Sequence, residues 1–400
     1  MNILYVIPDL AQSGGGIRQY ACALLRILAQ DTANRYFVLH NENDELVLST
    51  IQASSNLELI PVPIGRERSY EKLITKAAKA VNMLLKSRAV PVWTYLERLR
   101  SRYGIQVMYC PYPYIFHTKV QTVVTLHDVQ ELHFPAFFPP AVRAERAVYY
   151  MNVTELSTQL VVSYQHVKKD LIECFGRTPD NVQVCLLDMQ NLWFEKFLTQ
   201  KADPSPKSDL PTLPEKFVFY PAATWMHKNH IGLLESVAYL RDQYNIRISL
   251  VSTGHQTEHF GQIQQRIREL NLENQVFFLG IVSDAALFEL YQKTHAVVVP
   301  TLYEAGSFPL MESMLMTIPV VCSNVTSLPE TIGDSRFVFD PKNKVDMAEK
   351  LLLIFQNEEY REQNRANSRK QAHYLKNTGS LQILQKMYQR LAQNLPVAKN

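Results

Sequence analysis

Two glutamates eight residues apart, Glu304 and Glu312, bracket the run Ala305-Gly-Ser-Phe-Pro-Leu-Met. Such a pair could flank a ligand rich in hydroxyls and negative charge, provided the backbone between them supplies N–H donors. The intervening residues have that character. Gly306 lets backbone approach a ligand closely, and Ser307 can cap a helix. Phe308-Pro309 places a proline in the first turn, where its missing N–H costs nothing. The unengaged N–H groups of a helix start favour an anion such as a diphosphate. Lys228, in the run Tyr220-Pro-Ala-Ala-Thr-Trp-Met-His-Lys-Asn-His230, offers a cation, with Asn229 and His230 beside it. Read alone, Lys228 is equally a plain loop cation. His127, in Gln121–Asp128 (QTVVTLHD), offers an imidazole, although a lone histidine is more often structural.

These groups need elements to position them. Ala296–Pro300 is an apolar run without alternation, as expected of a buried parallel strand, and Glu304 follows its carboxyl end. In an open α/β sheet, ligands bind just beyond such ends. A helix running from the Ser307 cap to about Thr317 carries Glu312, and Pro319–Cys322 begins the next strand. His127-Asp128 likewise closes a strand. Near the start, the strand Asn2–Pro8, the triplet Gly14-Gly15-Gly16 and a helix over 17–30 could cradle a phosphate. A glycine triplet is also a common flexible turn, and the G-x-G-x-x-G and P-loop patterns are missing.

The contiguous run from Glu304 through Glu312, Pro319-Val-Val, Ser327-Leu-Pro-Glu330, Ile332-Gly-Asp334 and Phe339-Asp-Pro341 resembles the E-x7-E signature of the family-four retaining glycosyltransferases, glycosyl transferases group 1. The resemblance implies an α/β GT-B fold, two Rossmann-like doubly wound domains facing a central cleft. It implies that Glu304 contacts the donor sugar and that Glu312 holds the nucleotide ribose. Lys228 and the Gly306, Ser307, Phe308, Pro309 turn would face the diphosphate, with Asn229 and His230 nearby. Gly15 and Gly16 would lie near the donor phosphates, with Arg18 and Gln19 following. His127 matches a recurrent His-Asp of the family. Gly254 ends a second-domain strand, and Gly280 and Val282 fall where the family recognises the base. One departure stands out: the family's usual Arg, five or six residues before the Lys, is Ala222 or Ala223 here. Asn229, His230 and backbone amides are the available substitutes. No two aspartates stand two apart, so metal independence and no cofactor are expected.

Length and composition fit that reading. Four hundred residues, 46% of them hydrophobic, suffice for two cores. The expected division is an acceptor-side domain over 1–198, completed by a C-terminal helix over about 377–400. A proline-rich linker follows at 199–214, then a nucleotide-sugar domain over 215–376. Ser163 would cap the helix that follows it. A net charge of +3 excludes a wholesale nucleic-acid binder. Ten of the basic residues crowd into 66–102 against three acids, either a solvated helix face or a surface for anionic lipid. No 18-residue apolar run or signal peptide is evident, and the five cysteines form no C-x-x-C pair. A cytoplasmic protein, peripheral on the inner membrane face, is therefore expected. The partners implied are a nucleotide sugar and a glycan or lipid-linked glycan acceptor, with no nucleic acid. The His-Lys-Asn-His variant favours GDP-mannose by resemblance. A sugar-nucleotide epimerase of the same fold, and a non-catalytic nucleotide- or glycan-binding member, are the alternatives.

Overall fold

The computed structural model describes residues 1–7, 16–40, 54–61, 95–113, 115, 120–189 and 210–393. They form two units. The first draws on Met1–Val129, Phe138–Trp193 and Thr378–Asn400, and the second on Gln130–Phe137 and Phe194–Asn377. The sequence places 130–137 in the first domain. In the structure these residues pack on the second, where His133 and Phe134 lie 5.4 and 6.3 Å from the Tyr303 ring. Most of the expected linker, 199–209, lies outside the described residues.

The first unit is built on a seven-stranded sheet: β1 (Asn2–Val6), β2 (Arg35–His40), β3 (Leu57–Pro61), β4 (Val107–Cys110), β5 (Gln121–Thr125), β6 (Gln159–Val162) and β7 (Val182–Val184). Its order is β3-β2-β1-β4-β5-β6-β7, and every pairing is parallel. Central strands are buried on both faces, which explains their apolar runs. Leu4 and Val6 enter a core with Phe37, Met108, Val124 and Leu160. On the other face, the Tyr5 hydroxyl donates to the Ala21 carbonyl at 2.9 Å in the helix Gly16–Leu28.

Ser380–Gln393, the last described helix, belongs to this first unit. Asp188 ties it down. Its carboxylate accepts from the Thr378 and Gly379 N–H groups at 2.5 and 3.2 Å, and from the Thr378 and Ser380 hydroxyls at 2.8 and 2.7 Å. Gln385 of the helix then donates to buried Asp31 at 2.7 Å.

A six-stranded parallel sheet forms the second unit: β8 (Phe217–Pro221), β9 (Ser249–Thr253), β10 (Val276–Phe278), β11 (Ala296–Val299), β12 (Val320–Ser323) and β13 (Val338–Phe339). The order is β10-β9-β8-β11-β12-β13. Both sheets thus reverse direction of strand addition once, between β1 and β4 and between β8 and β11. These are the switch points where doubly wound folds bind ligands. The two sheets give the two Rossmann-like domains of the GT-B architecture.

Of the basic stretch 66–102, only the residues from 95 onward are described. Tyr95–Tyr103 is a helix that buries Leu96 and Leu99 and pairs Arg100 with Glu97 at 2.6 Å. No helix among the described residues is long and apolar enough to cross a membrane. Ser163 does not cap its helix. Tyr164 occupies the N-cap position, with no side-chain cap bond.

Candidate active site

The second unit's switch point lies between the carboxyl ends of β8 and β11, and the loops beyond those two strands carry Lys228 and Glu304. The Lys228 ammonium donates to Glu304 Oε2 at 2.5 Å, with the side chains only 18% and 14% exposed. Several contacts fix this pair. Lys228 sits on a 3-10 turn, Met226–Lys228, whose last carbonyl accepts the Tyr220 hydroxyl at 2.9 Å. The His227 carbonyl accepts from the Leu302 N–H at 2.7 Å and the Thr301 hydroxyl at 2.9 Å, lacing the two loops together. The Glu304 backbone is gripped in turn: its N–H donates to Thr326 Oγ1 at 3.1 Å. Its carbonyl accepts from the Thr326 and Ser327 hydroxyls at 2.7 and 2.8 Å.

Asn229 adopts the left-handed conformation, φ 58°, between the 3-10 turn and the helix His230–Tyr244. Its amide donates to the Pro300 and Pro341 carbonyls at 3.0 and 2.9 Å. Asn229 is therefore a clamp on the loop rather than the spare donor expected to stand in for the missing Arg. His230 differs more sharply from its expected role. It is 1% exposed, held between the Tyr220 and Phe278 rings at 4.8 and 5.6 Å. Burial, and then the Lys228 charge, push its pKa down to about 3. It is a neutral core residue and supplies no cation to a diphosphate. His227 is likewise held at about 3 by burial and Lys228.

Helix Phe308–Leu315 starts as its residues predict. Ser307 accepts from the Leu310 N–H at 3.4 Å, and Pro309 lies in the first turn. Gly306, at φ 133°, occupies a conformation that suits glycine. The Met311 N–H is bound to the Ser307 carbonyl at 3.1 Å. Among the described residues this leaves the Phe308 N–H as the first-turn donor without a partner, fewer donors than expected. Glu312 follows one turn on, 6% exposed, and accepts a short hydrogen bond from the Tyr291 hydroxyl. Burial raises its carboxyl to about 7.

Gly254 packs directly under the Lys228 loop. A Cβ there would come within 2.7 Å of the Ala222 and Ala223 backbone, and its N–H donates to the Gly280 carbonyl at 2.7 Å. Thr257 and Thr224 bind each other reciprocally, Thr257 N–H to Thr224 Oγ1 and Thr257 Oγ1 to Thr224 O, both at 2.7 Å. Val282 is partly buried, whereas its neighbour Ile281 is 77% exposed.

His127 lies in the first unit, two residues beyond β5. Its Nε2 is 3.0 Å from the Pro111 carbonyl, just past β4. A carbonyl only accepts, so Nε2 carries the proton and Nδ1 is the acceptor of a neutral ring. Burial pushes its pKa down to about 4. Tyr20 stands edge-on to the imidazole with centroids 4.7 Å apart. Gly15 is outside the described residues, and Gly16 opens the helix that carries Arg18, Gln19 and Tyr20. The main groups the sequence did not reveal are Tyr291 and Thr326, which hold Glu312 and Glu304, and the part of Ser327, read there only within the resembling run, in holding Glu304. Their partners are 21 to 23 residues away, so no local spacing signals them.

Among known families, residues 201–371 of the chain match the model of glycosyl transferases group 1. The chain is also similar to glycosyltransferases along most of its length. It is 25% identical to O-antigen chain mannosyltransferase B of Escherichia coli over 378 residues, covering 90% of this chain and 92% of that one. It is 24% identical to O-antigen chain mannosyltransferase RfbU of Salmonella typhimurium, covering 84% and 86%. Among solved structures, sucrose-phosphate synthase from Thermosynechococcus elongatus shares the fold at a TM-score of 0.67 and 16% identity, over 98% and 100% of the chains. Anabaena HepE in complex with UDP and glucose does so at 0.63 and 17%, with the same coverage.

Proposed function

We propose that the chain is a retaining hexosyltransferase that moves mannose from GDP-mannose to a growing O-antigen-type glycan carried on lipid. One observation carries the reading: Lys228 and Glu304 form a part-buried ion pair at the switch point of the second unit. An ammonium has three donors, and Glu304 uses one. The others remain for the diphosphate oxygens, whose charge grows as the glycosidic bond breaks, so Lys228 stabilises the transition state more than the ground state. Glu304 holds the sugar. Its charge is balanced by Lys228, which makes it a poor nucleophile and favours front-face substitution, the leaving phosphate taking the acceptor proton. Glu312 binds the ribose.

The mannosyltransferase relatives support the donor assignment. The reaction is read as independent of metal, since no Asp-x-Asp pair is present in the sequence. The test is a thermal-shift titration with a panel of nucleotide sugars, GDP and UDP. A nucleotide at 100 times its dissociation constant stabilises by about 2.7 kcal/mol. Stabilisation by GDP-mannose and GDP above the uridine series is expected; the reverse order would overturn the donor assignment. Transfer abolished by EDTA and restored by Mn²⁺ would overturn the metal-independent reading.

A further inference from the structure

Tyr291, in the helix Asp284–Lys293, is fully buried and spends its hydroxyl on Glu312 Oε2. The two side chains come from different helices, on either side of β11. The phenol ring is fixed from a third element, standing edge-on to Phe219 of β8 with centroids 5.2 Å apart. Burial, and then the Glu312 charge, hold the phenol well above its ordinary range, so it remains a donor at any working pH. Among the described residues, Glu312 Oε1 takes no hydrogen bond, and Glu312 as a whole residue is 6% exposed.

From this geometry we infer that Tyr291 is a positioning residue for donor binding: it locks one oxygen of Glu312 and leaves the other for the ribose hydroxyls. The inference rests on the reading of Glu312 as the ribose-binding group. A carboxylate this buried cannot stay ionised and oriented without a donor, because an unpaired buried charge is costly. The sole donor it has among the described residues is Tyr291. The carboxyl is already raised to about 7 with that hydroxyl in place; without it, Glu312 would hold its proton still more tightly or turn away, and a neutral carboxyl is a weaker acceptor for ribose. The ring itself would still fill its place, since phenylalanine occupies nearly the same volume. The effect should therefore fall on donor affinity and spare the chemical step, which takes place at the sugar.

The test is a double-mutant cycle on the full chain: wild type, Tyr291→Phe, Glu312→Gln and the pair. Each is titrated calorimetrically with GDP and, separately, UDP, and assayed for donor KM and kcat with GDP-mannose and UDP-glucose. Far-UV circular dichroism and melting check that each variant folds. Tyr291→Phe should raise the nucleotide Kd and donor KM about ten-fold, the scale of one hydrogen bond to a charged group, with kcat within about two-fold of wild type. The double variant should be no worse than Glu312→Gln, since the hydroxyl acts only through that carboxylate. Unchanged KM in Tyr291→Phe, or losses that multiply in the double variant, would overturn the inference. Glu312→Gln with unaltered nucleotide affinity would instead overturn the ribose reading beneath it, so the two failures are told apart. If Tyr291→Phe does not fold, melting of Glu312→Gln with and without GDP still tests the ribose reading. Tyr291→His, a smaller ring that can donate to Glu312, should then bind GDP more tightly than Glu312→Gln, and binding no tighter than Glu312→Gln would overturn the inference.

Discussion

Lys228 and Glu304, 76 residues apart in sequence, meet at 2.5 Å across the loops that follow β8 and β11. Each is the other's counter-charge, so changing one strands the other. Removing a partner from a part-buried pair costs more than the pair itself contributes.

Lys228→Ala should lower turnover by about one to two orders of magnitude, the rate equivalent of a charge-assisted hydrogen bond of about 1.5–3 kcal/mol. Donor KM should change less. Steady-state kinetics check this; intact turnover with only a raised KM would make Lys228 a uniform binding contact.

Three histidines shape acid stability. His127, His227 and His230 are held neutral, with pKa values of about 4, 3 and 3. An unfolded histidine takes up its proton near pH 6.5, so the unfolded state binds more protons below that pH. Stability should therefore fall as pH drops from about 6.5 toward 4. His230→Phe, set between Tyr220 and Phe278, should reduce the slope of unfolding free energy against pH in urea titrations at pH 7 and 5. An unchanged slope would show that His230 titrates normally.

Glu312 works in the opposite sense. Its folded pKa of about 7 lies above the ordinary 4.5, so the folded state holds the proton more tightly. Its contribution is fully present below 4.5 and is lost as pH rises through about 7. Glu312→Gln should raise the melting temperature at pH 8 and change it little at pH 4.5, while weakening the nucleotide. Equal shifts at both pH values would contradict the raised pKa.

Asp188→Ala removes four hydrogen-bond donors' partner at the start of the last described helix. Loss of a helix cap costs about 0.5–2 kcal/mol, and a value at the upper end is expected in denaturant melts. A shift within error would mean that the helix is held by its apolar face alone.

How much of this could be read in the sequence follows from how local each signal is. The Ser307 cap, Pro309 and the buried β11 run are written within a few residues of one another, and the structure forms them as expected. Strand order was within reach because alternating strands and helices permit few topologies. His230 misled because its burial depends on Tyr220 and Phe278, ten and 48 residues away, while its neighbours Lys228 and Asn229 suggest a polar loop. Asn229 looked like a ligand group for the same reason, yet its left-handed backbone turns its amide onto Pro300 and Pro341. Tyr291 gave no sign at all, since a tyrosine in an apolar helix usually means core packing. Gln130–Phe137 changed units because Tyr303 offers its aromatic segment a partner that sequence proximity to β5 does not disclose.

The central claim, sugar transfer at the Lys228–Glu304 site, is tested most directly by measuring GDP release from GDP-mannose with and without a lipid-linked glycan acceptor. Wild type and Glu304→Gln are compared. The account predicts acceptor-dependent release by the wild type. Glu304→Gln should fold and bind GDP normally but lose most transfer. Conversion of the donor without any acceptor, or wild-type turnover by Glu304→Gln, would contradict it.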